Sequence, residues 1–180
     1  AEVFYQKMKK QQEGKIALFL CTTNVLRQQQ EDELRKYMKE QDRKIEVRKD
    51  FVSRDTNLAA LRDGKDTIFV MTIGKFQTIE LNKDLLDKIE CIVIDEIHHL
   101  ECKDKKSPYN VTLESIEQHN SQCTVWILGL TATPAAAATK SATQEKFDSL
   151  ESSFSTKEER AHILQVTENT EELENFCRPT

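Results

Sequence analysis

Glycine and proline are scarce in this chain of 180 residues, at four and three. No repeat and no Gly/Pro-rich linker interrupts it, so nothing divides it by a flexible tether. No apolar run reaches the roughly 18 residues that a membrane helix needs, and no membrane partner is expected. Residues 1–10 lack the apolar core of a secretory signal and read as the tail of a helix, which places the natural start upstream. Cysteine pairing is absent as well. The five cysteines (Cys21, Cys91, Cys102, Cys123 and Cys177) are odd in number, widely spaced and without C-x-x-C spacing. Neither a disulfide framework nor a zinc site is indicated, and a reducing compartment is the default, cytoplasm first and nucleus second. Positive charge is not in surplus either. With a formal net charge of −5, the chain is no general polyanion binder, and any nucleic-acid contact must come from a few well-placed donors.

What is present is a rhythm. Lys15 to Cys21, Asp66 to Met71, Glu90 to Ile94 and Thr124 to Leu130 are short apolar runs rich in β-branched and aromatic residues. They do not alternate with polar residues, which suits strands covered on both faces, as in a parallel sheet. Lys44 to Val47 is a fifth, weaker strand. Helical patterns fill the gaps at Val25 to Lys39, Asn57 to Arg62, Leu81 to Ile89 and Tyr109 to His119. The strand–helix–strand alternation predicts an α/β fold with an open, doubly wound, mostly parallel sheet. The texture changes after Pro134. Residues 135–180 read as charged helices, with one short strand near His162 to Val166. They form a helical extension continuing the domain of residues 1–134.

Two segments carry chemistry. In Cys91 to Leu100, CIVIDEIHHL, an apolar strand ends in Asp95 and Glu96, followed by His98 and His99. Ligands of open α/β sheets bind outside the carboxyl ends of the strands, where these groups emerge. One carboxylate can hold a hydrated Mg²⁺ beside nucleotide phosphates, and the next can deprotonate an attacking water. A solvated acidic turn with a satisfied histidine fits the same residues. In Ile127 to Pro134, ILGLTATP, a second strand runs into Thr131-Ala132-Thr133 and a proline stop. Taken alone, that segment is an ordinary turn.

Together, the acid pair with His98 and the Thr-Ala-Thr turn one βαβ unit later resemble motifs II and III of superfamily-2 helicases. Cys21 to Gln30, CTTNVLRQQQ, resembles motif Ia through Thr23, Leu26 and Gln29, with Thr22 in place of the usual proline. Val70 to Phe76, VMTIGKF, resembles the next RNA-contacting motif through Thr72, with Ile73 in place of proline. Both segments place a Thr before a helix, where a plain N-cap is the ordinary role. Ser107-Pro108-Tyr109-Asn110, Leu128 to Thr133 and the tail from Thr143 to Pro179 are similar to the Dicer and RIG-I-like branch of duplex-RNA-activated ATPases. Ile97, where cysteine is usual, and Thr133, where serine is common, are departures.

The resemblance covers nearly the whole chain. It implies a RecA-like domain 1 over residues 1–134, with ATP and Mg²⁺ as cofactors. Asp95 would hold Mg²⁺ through water and Glu96 would be the catalytic base. His98, Thr131 and Thr133 would couple the sites, and Thr23, Asn24 and Thr72 would bind RNA. The implied partners are double-stranded RNA and a second RecA-like domain. A non-catalytic module and a DNA translocase of the same superfamily are the alternatives.

No G-x-x-x-x-G-K-[ST] loop occurs in these 180 residues. The chain is therefore expected to be a fragment cut just after that loop and lacking the central strand before it. The 180-residue chain alone is predicted not to hydrolyse ATP. RNA-stimulated phosphate release in a malachite-green assay of this chain would overturn that prediction.

Overall fold

The computed structural model describes residues 4, 14–40, 45–49, 66–79, 87–99, 106–119 and 125–131, and the helical positions 145, 148, 149, 151 and 152. The chain divides into two compact units, Ala1–Pro134 and Ala135–Thr180. In the first unit the described elements run β1 (Ile16–Cys21), α1 (Asn24–Lys39), β2 (Glu46–Lys49), β3 (Thr67–Thr72), α2 (Ile73–Phe76), β4 (Ile89–Ile94), a 3-10 turn (Ile97–His99), α3 (Pro108–His119) and β5 (Trp126–Gly129). The five strands form one sheet in the order β2-β3-β1-β4-β5, and every pairing is parallel. This is the α/β architecture that the alternation of apolar runs predicts.

Side chains alternate across a strand, so each apolar run feeds two cores. Ala17, Phe19, Cys21, Ile68, Val70, Cys91 and Val93 cluster with Leu34 and Met38 of α1. The intervening residues Leu18, Leu20, Phe69, Met71, Ile92 and Ile94 are just as deeply buried. At roughly 1.5–3 kcal/mol for each large apolar side chain removed from water, these two layers dominate the favourable side of folding.

α1 is more polar. Its inner face carries Leu34 and Met38 together with Arg27 and Glu31, all buried. The last two form an ion pair of 2.7 Å, and Arg35 reaches the same carboxylate at 2.7 Å. Desolvation consumes most of the attraction of such a pair, so the apolar contacts hold the helix down and the pair keeps the buried charges neutralised.

The amino end of β1 is fastened by a clasp. Gly14 has a positive φ of 87°, which lets its N–H and that of Lys15 both donate to Oδ1 of Asp66, each at 3.1 Å. Only glycine adopts that backbone without penalty.

Three expectations shift. Lys44 to Val47 becomes Glu46–Lys49, because the ladder with β3 begins at Glu46↔Thr67. Ile89, expected to end a helix, opens β4 opposite Ile16. Trp126 to Gly129 is half-buried instead of fully covered, since β5 borders the sheet among the described residues. The expected helices at Asn57 to Arg62 and over residues 81–86, and the strand near His162 to Val166, lie outside the described residues.

Two interior positions yield predictions. A Cβ at Gly129 would lie 2.9–3.1 Å from the side chain of Ile97, which is β-branched, buried and unable to swing away. Gly129→Ala is expected to cost about 1–3 kcal/mol in a denaturant melt, the usual range for overpacking. Adding Ile97→Ala should recover part of the loss, and simple additivity of the two losses would contradict the contact. Burial pushes the Cys21 thiol from its ordinary 9.0 up to about 12, with the charge of Asp95 adding to the rise and Arg27 opposing it. A raised folded-state value means stability that is complete below pH 9.0 and drains away as pH rises toward about 12. The difference in melting temperature between the native chain and Cys21→Ala should therefore narrow from pH 9.0 upward. A difference that is flat with pH would contradict the shift.

Candidate functional site

The sheet delivers its candidate residues to one rim. In register, Cys21 of β1 stands opposite Thr72 of β3, Leu20 opposite Ile94 of β4, and Ile94 opposite Gly129 of β5. The carboxyl ends of four adjacent strands thus line up. Along the rim from β3 to β5 come Thr72, then Thr23, then Asp95 and Glu96, then Thr131. The chain leaves β1 toward the β2 side and leaves β4 toward the β5 side. Connections diverging from neighbouring strands open the crevice in which α/β sheets bind ligands.

The acid turn is tightly determined. The Asp95 amide continues the ladder by donating to the carbonyl of Leu20 at 2.9 Å. The Glu96 N–H donates to Oδ1 of Asp95 at 3.0 Å. Glu96 itself has φ 53°, a left-handed conformation that costs a non-glycine residue roughly 1–3 kcal/mol and persists only where neighbours enforce it. The Ile97 amide then donates to the Leu130 carbonyl at 2.9 Å, and that of His99 to the Glu96 carbonyl at 3.1 Å. The strand therefore ends and is locked within five residues.

Burial raises the Asp95 carboxyl above its ordinary value. The Glu96 N–H opposes that rise, the Glu96 charge adds to it and His98 opposes it. One Asp95 oxygen accepts from the Glu96 amide. Carboxylate oxygens suit a hard divalent cation, and Mg²⁺ binds through one or two such groups plus water and phosphate in preference to a protein cage. The half-buried pair Asp95 and Glu96 fits that demand. Among the described residues, no group of three or more His, Cys, Asp or Glu side chains is placed to hold a metal ion.

His98 joins the two motifs. Its Nδ1 lies 2.8 Å from Oγ1 of Thr131 and 3.1 Å from Oε2 of Glu96. A carboxylate only accepts, so engaging Glu96 requires a proton on Nδ1. If that contact is released, Nδ1 can accept from the Thr131 hydroxyl instead. One ring nitrogen thus has two hydrogen-bonding states, one toward Glu96 and one toward Thr131. The His98 and His99 rings lie 4.3 Å apart.

Thr23 and Thr72 act as caps in this structure. Thr23 accepts from the Leu26 amide at 3.3 Å and Thr72 from the Lys75 amide at 3.2 Å, each opening a helix. Asn24 is the first residue of α1 and is exposed. Thr133 lies outside the described residues. Tyr109, noted in the sequence only as part of Ser-Pro-Tyr-Asn, contributes more than expected. Its hydroxyl donates to the Asp95 carbonyl at 3.3 Å. Burial, together with the charges of Asp95 and Glu96 and the nearby Cys21, pushes its ionisation far above the ordinary range. Pro108 at the first position of α3, a site that favours proline, was the available signal for the helix start but not for that bond.

No curated protein matches the chain. The family model described as DEAD/DEAH box helicase matches residues 2–142, a span holding every described strand, the acid turn and the Thr-Ala-Thr segment. With the acid turn and Thr131 gathered at one rim of a parallel sheet, the chain belongs to the DEAD/DEAH box helicase family, whose members perform ATP-dependent, helicase-type work.

Proposed function

We propose that this chain is part of the first motor lobe of a duplex-RNA-activated ATPase of the Dicer and RIG-I-like kind, an RNA helicase or translocase. One observation carries the reading. His98 bridges Glu96 and Thr131 on neighbouring strands, while Thr23 and Thr72 cap helices after the next two strands of the same rim. Nucleotide chemistry and polymer contact thus occupy adjoining stretches of one edge.

In this reading Asp95 and Glu96 divide the work. When bound with ATP, Mg²⁺ supplies charge neutralisation at the phosphates. Asp95 would hold that ion through water, and burial raises its carboxyl above the ordinary carboxylate range. Glu96 orients the attacking water and takes its proton. His98, Thr131 and Thr133 carry the state of the nucleotide side toward the polymer side. Thr23, Asn24 and Thr72 meet the RNA backbone. Exposed backbone N–H groups and hydroxyls at helix starts suit phosphate oxygens and carry no base sequence. With a net charge of −5, contact must be local and not a bulk attraction. A second RecA-like domain would close the crevice and complete the phosphate site.

In the full-length protein, Glu96→Gln should preserve ATP binding and abolish turnover. A loss of less than about tenfold, roughly 1.4 kcal/mol of barrier, would remove Glu96 from the role of base. ATPase assays with duplex RNA and with DNA separate the reading from its neighbour. Stimulation by DNA alone would make the protein a DNA translocase, and no turnover with either polymer would make it a binding module.

A further inference from the structure

The mechanism above depends on the turn that carries Glu96, and one peptide plane opens that turn. The Asp95 carbonyl and the Glu96 N–H belong to the same peptide unit. Its N–H end is held by Oδ1 of Asp95 at 3.0 Å. Its carbonyl end accepts from the hydroxyl of Tyr109 at 3.3 Å. Rotating that plane by about half a turn would return Glu96 from its φ of 53° to the negative region that non-glycine residues prefer. The relaxed alternative is therefore close at hand, and the bonds at the two ends of the plane oppose it.

The bond at the N–H end comes from Asp95 itself, a group that a bound cation would compete for. The bond at the carbonyl end is independent of the nucleotide. Tyr109 is buried at 6% exposure, and its ring lies 5.9 Å from that of His99. It stands in the first turn of α3, where the Val111 amide donates to the Ser107 carbonyl at 3.0 Å. Nε2 of Gln77 ties the same turn to the end of α2 by donating to the Pro108 carbonyl at 3.0 Å. The hydroxyl thus comes from a braced element.

We propose that Tyr109 is a positioning residue that latches the Asp95–Glu96 peptide and so keeps the Glu96 carboxylate in its working direction. The proposal rests on the reading of Glu96 as the base. The phenolic hydroxyl acts on the main chain, at the Asp95 carbonyl. It removes an alternative turn conformation in which Glu96 would face elsewhere.

Tyr109→Phe deletes only the hydroxyl and keeps the buried ring. In ¹H–¹⁵N spectra of the isotope-labelled chain, the Glu96 amide of Tyr109→Phe is expected to show microsecond–millisecond exchange that the native chain lacks. The amides of Leu18 and Ile92 should remain unchanged. In the full-length protein the same substitution should lower kcat at least tenfold, with KM for ATP, duplex-RNA affinity and melting temperature held within experimental error. Tyr109→Leu, which also empties the ring site, should lower both kcat and melting temperature. A Glu96 amide unaltered in Tyr109→Phe overturns the latch, and so does a kcat within twofold of the native value. Should Glu96→Gln retain full turnover, the catalytic reading falls instead, and the amide spectrum still reports whether the peptide is latched.

Discussion

Everything at the rim depends on the parallel, in-register pairing of β4 between β1 and β5. Hydrogen bonds across that ladder fix the height at which each strand ends. The Asp95 amide is held by Leu20, and the Leu130 amide is held by the Ile94 carbonyl at 2.8 Å. A slip of one residue would turn every side chain of β4 to the opposite face. Ile92 and Ile94 would change places with Cys91 and Val93, and the acid pair would no longer share an edge with Thr131. The two apolar layers that specify the register are thus also what brings a hydroxyl and a carboxylate within 2.8 and 3.1 Å of one imidazole nitrogen.

The rim carries local costs to stability. Glu96 occupies a strained backbone conformation, and Asp95 is a carboxylate that its surroundings penalise for ionising. Neither helps the fold. Both are tolerated because the sheet beneath is covered on two faces and braced by neighbouring helices. Strained residues and raised carboxyls gather where function demands them, and here they fall on adjacent positions.

Much of this was legible in the chain. Strands buried on both faces betray themselves as unbroken apolar runs, which is why β1, β3 and β4 could be placed almost to the residue. The acid pair and Thr131 could be assigned to strand ends because carboxyl ends of parallel strands are where polar residues first escape the core. β2 was less clear, since Glu46 and Arg48 dilute its pattern. β5 was as plain as the others as a run, and only its burial was overestimated, because it borders the described sheet. Tyr109 could not be found as a latch at all. Its bond is made to a main-chain carbonyl 14 residues earlier, and main-chain acceptors leave no mark on composition or periodicity. The same holds for Asp66, whose partners are the amides of Gly14 and Lys15, more than 50 residues away. Thr23 and Thr72 show the converse. Their type and place before a helix announced a cap, and they are caps, while any polymer contact is invisible in side-chain identity alone.

The clasp at the root of β1 has a mechanical consequence. Gly14 and Lys15 pin the strand to Asp66 at its amino end, and the Leu20 carbonyl pins its far end to Asp95. Between those anchors β1 is hydrogen-bonded on both sides. A pull applied at Thr23 meets a taut strut whose foot cannot slide. Load would then be passed sideways into β3 and β4, with little spent on stretching the strand itself.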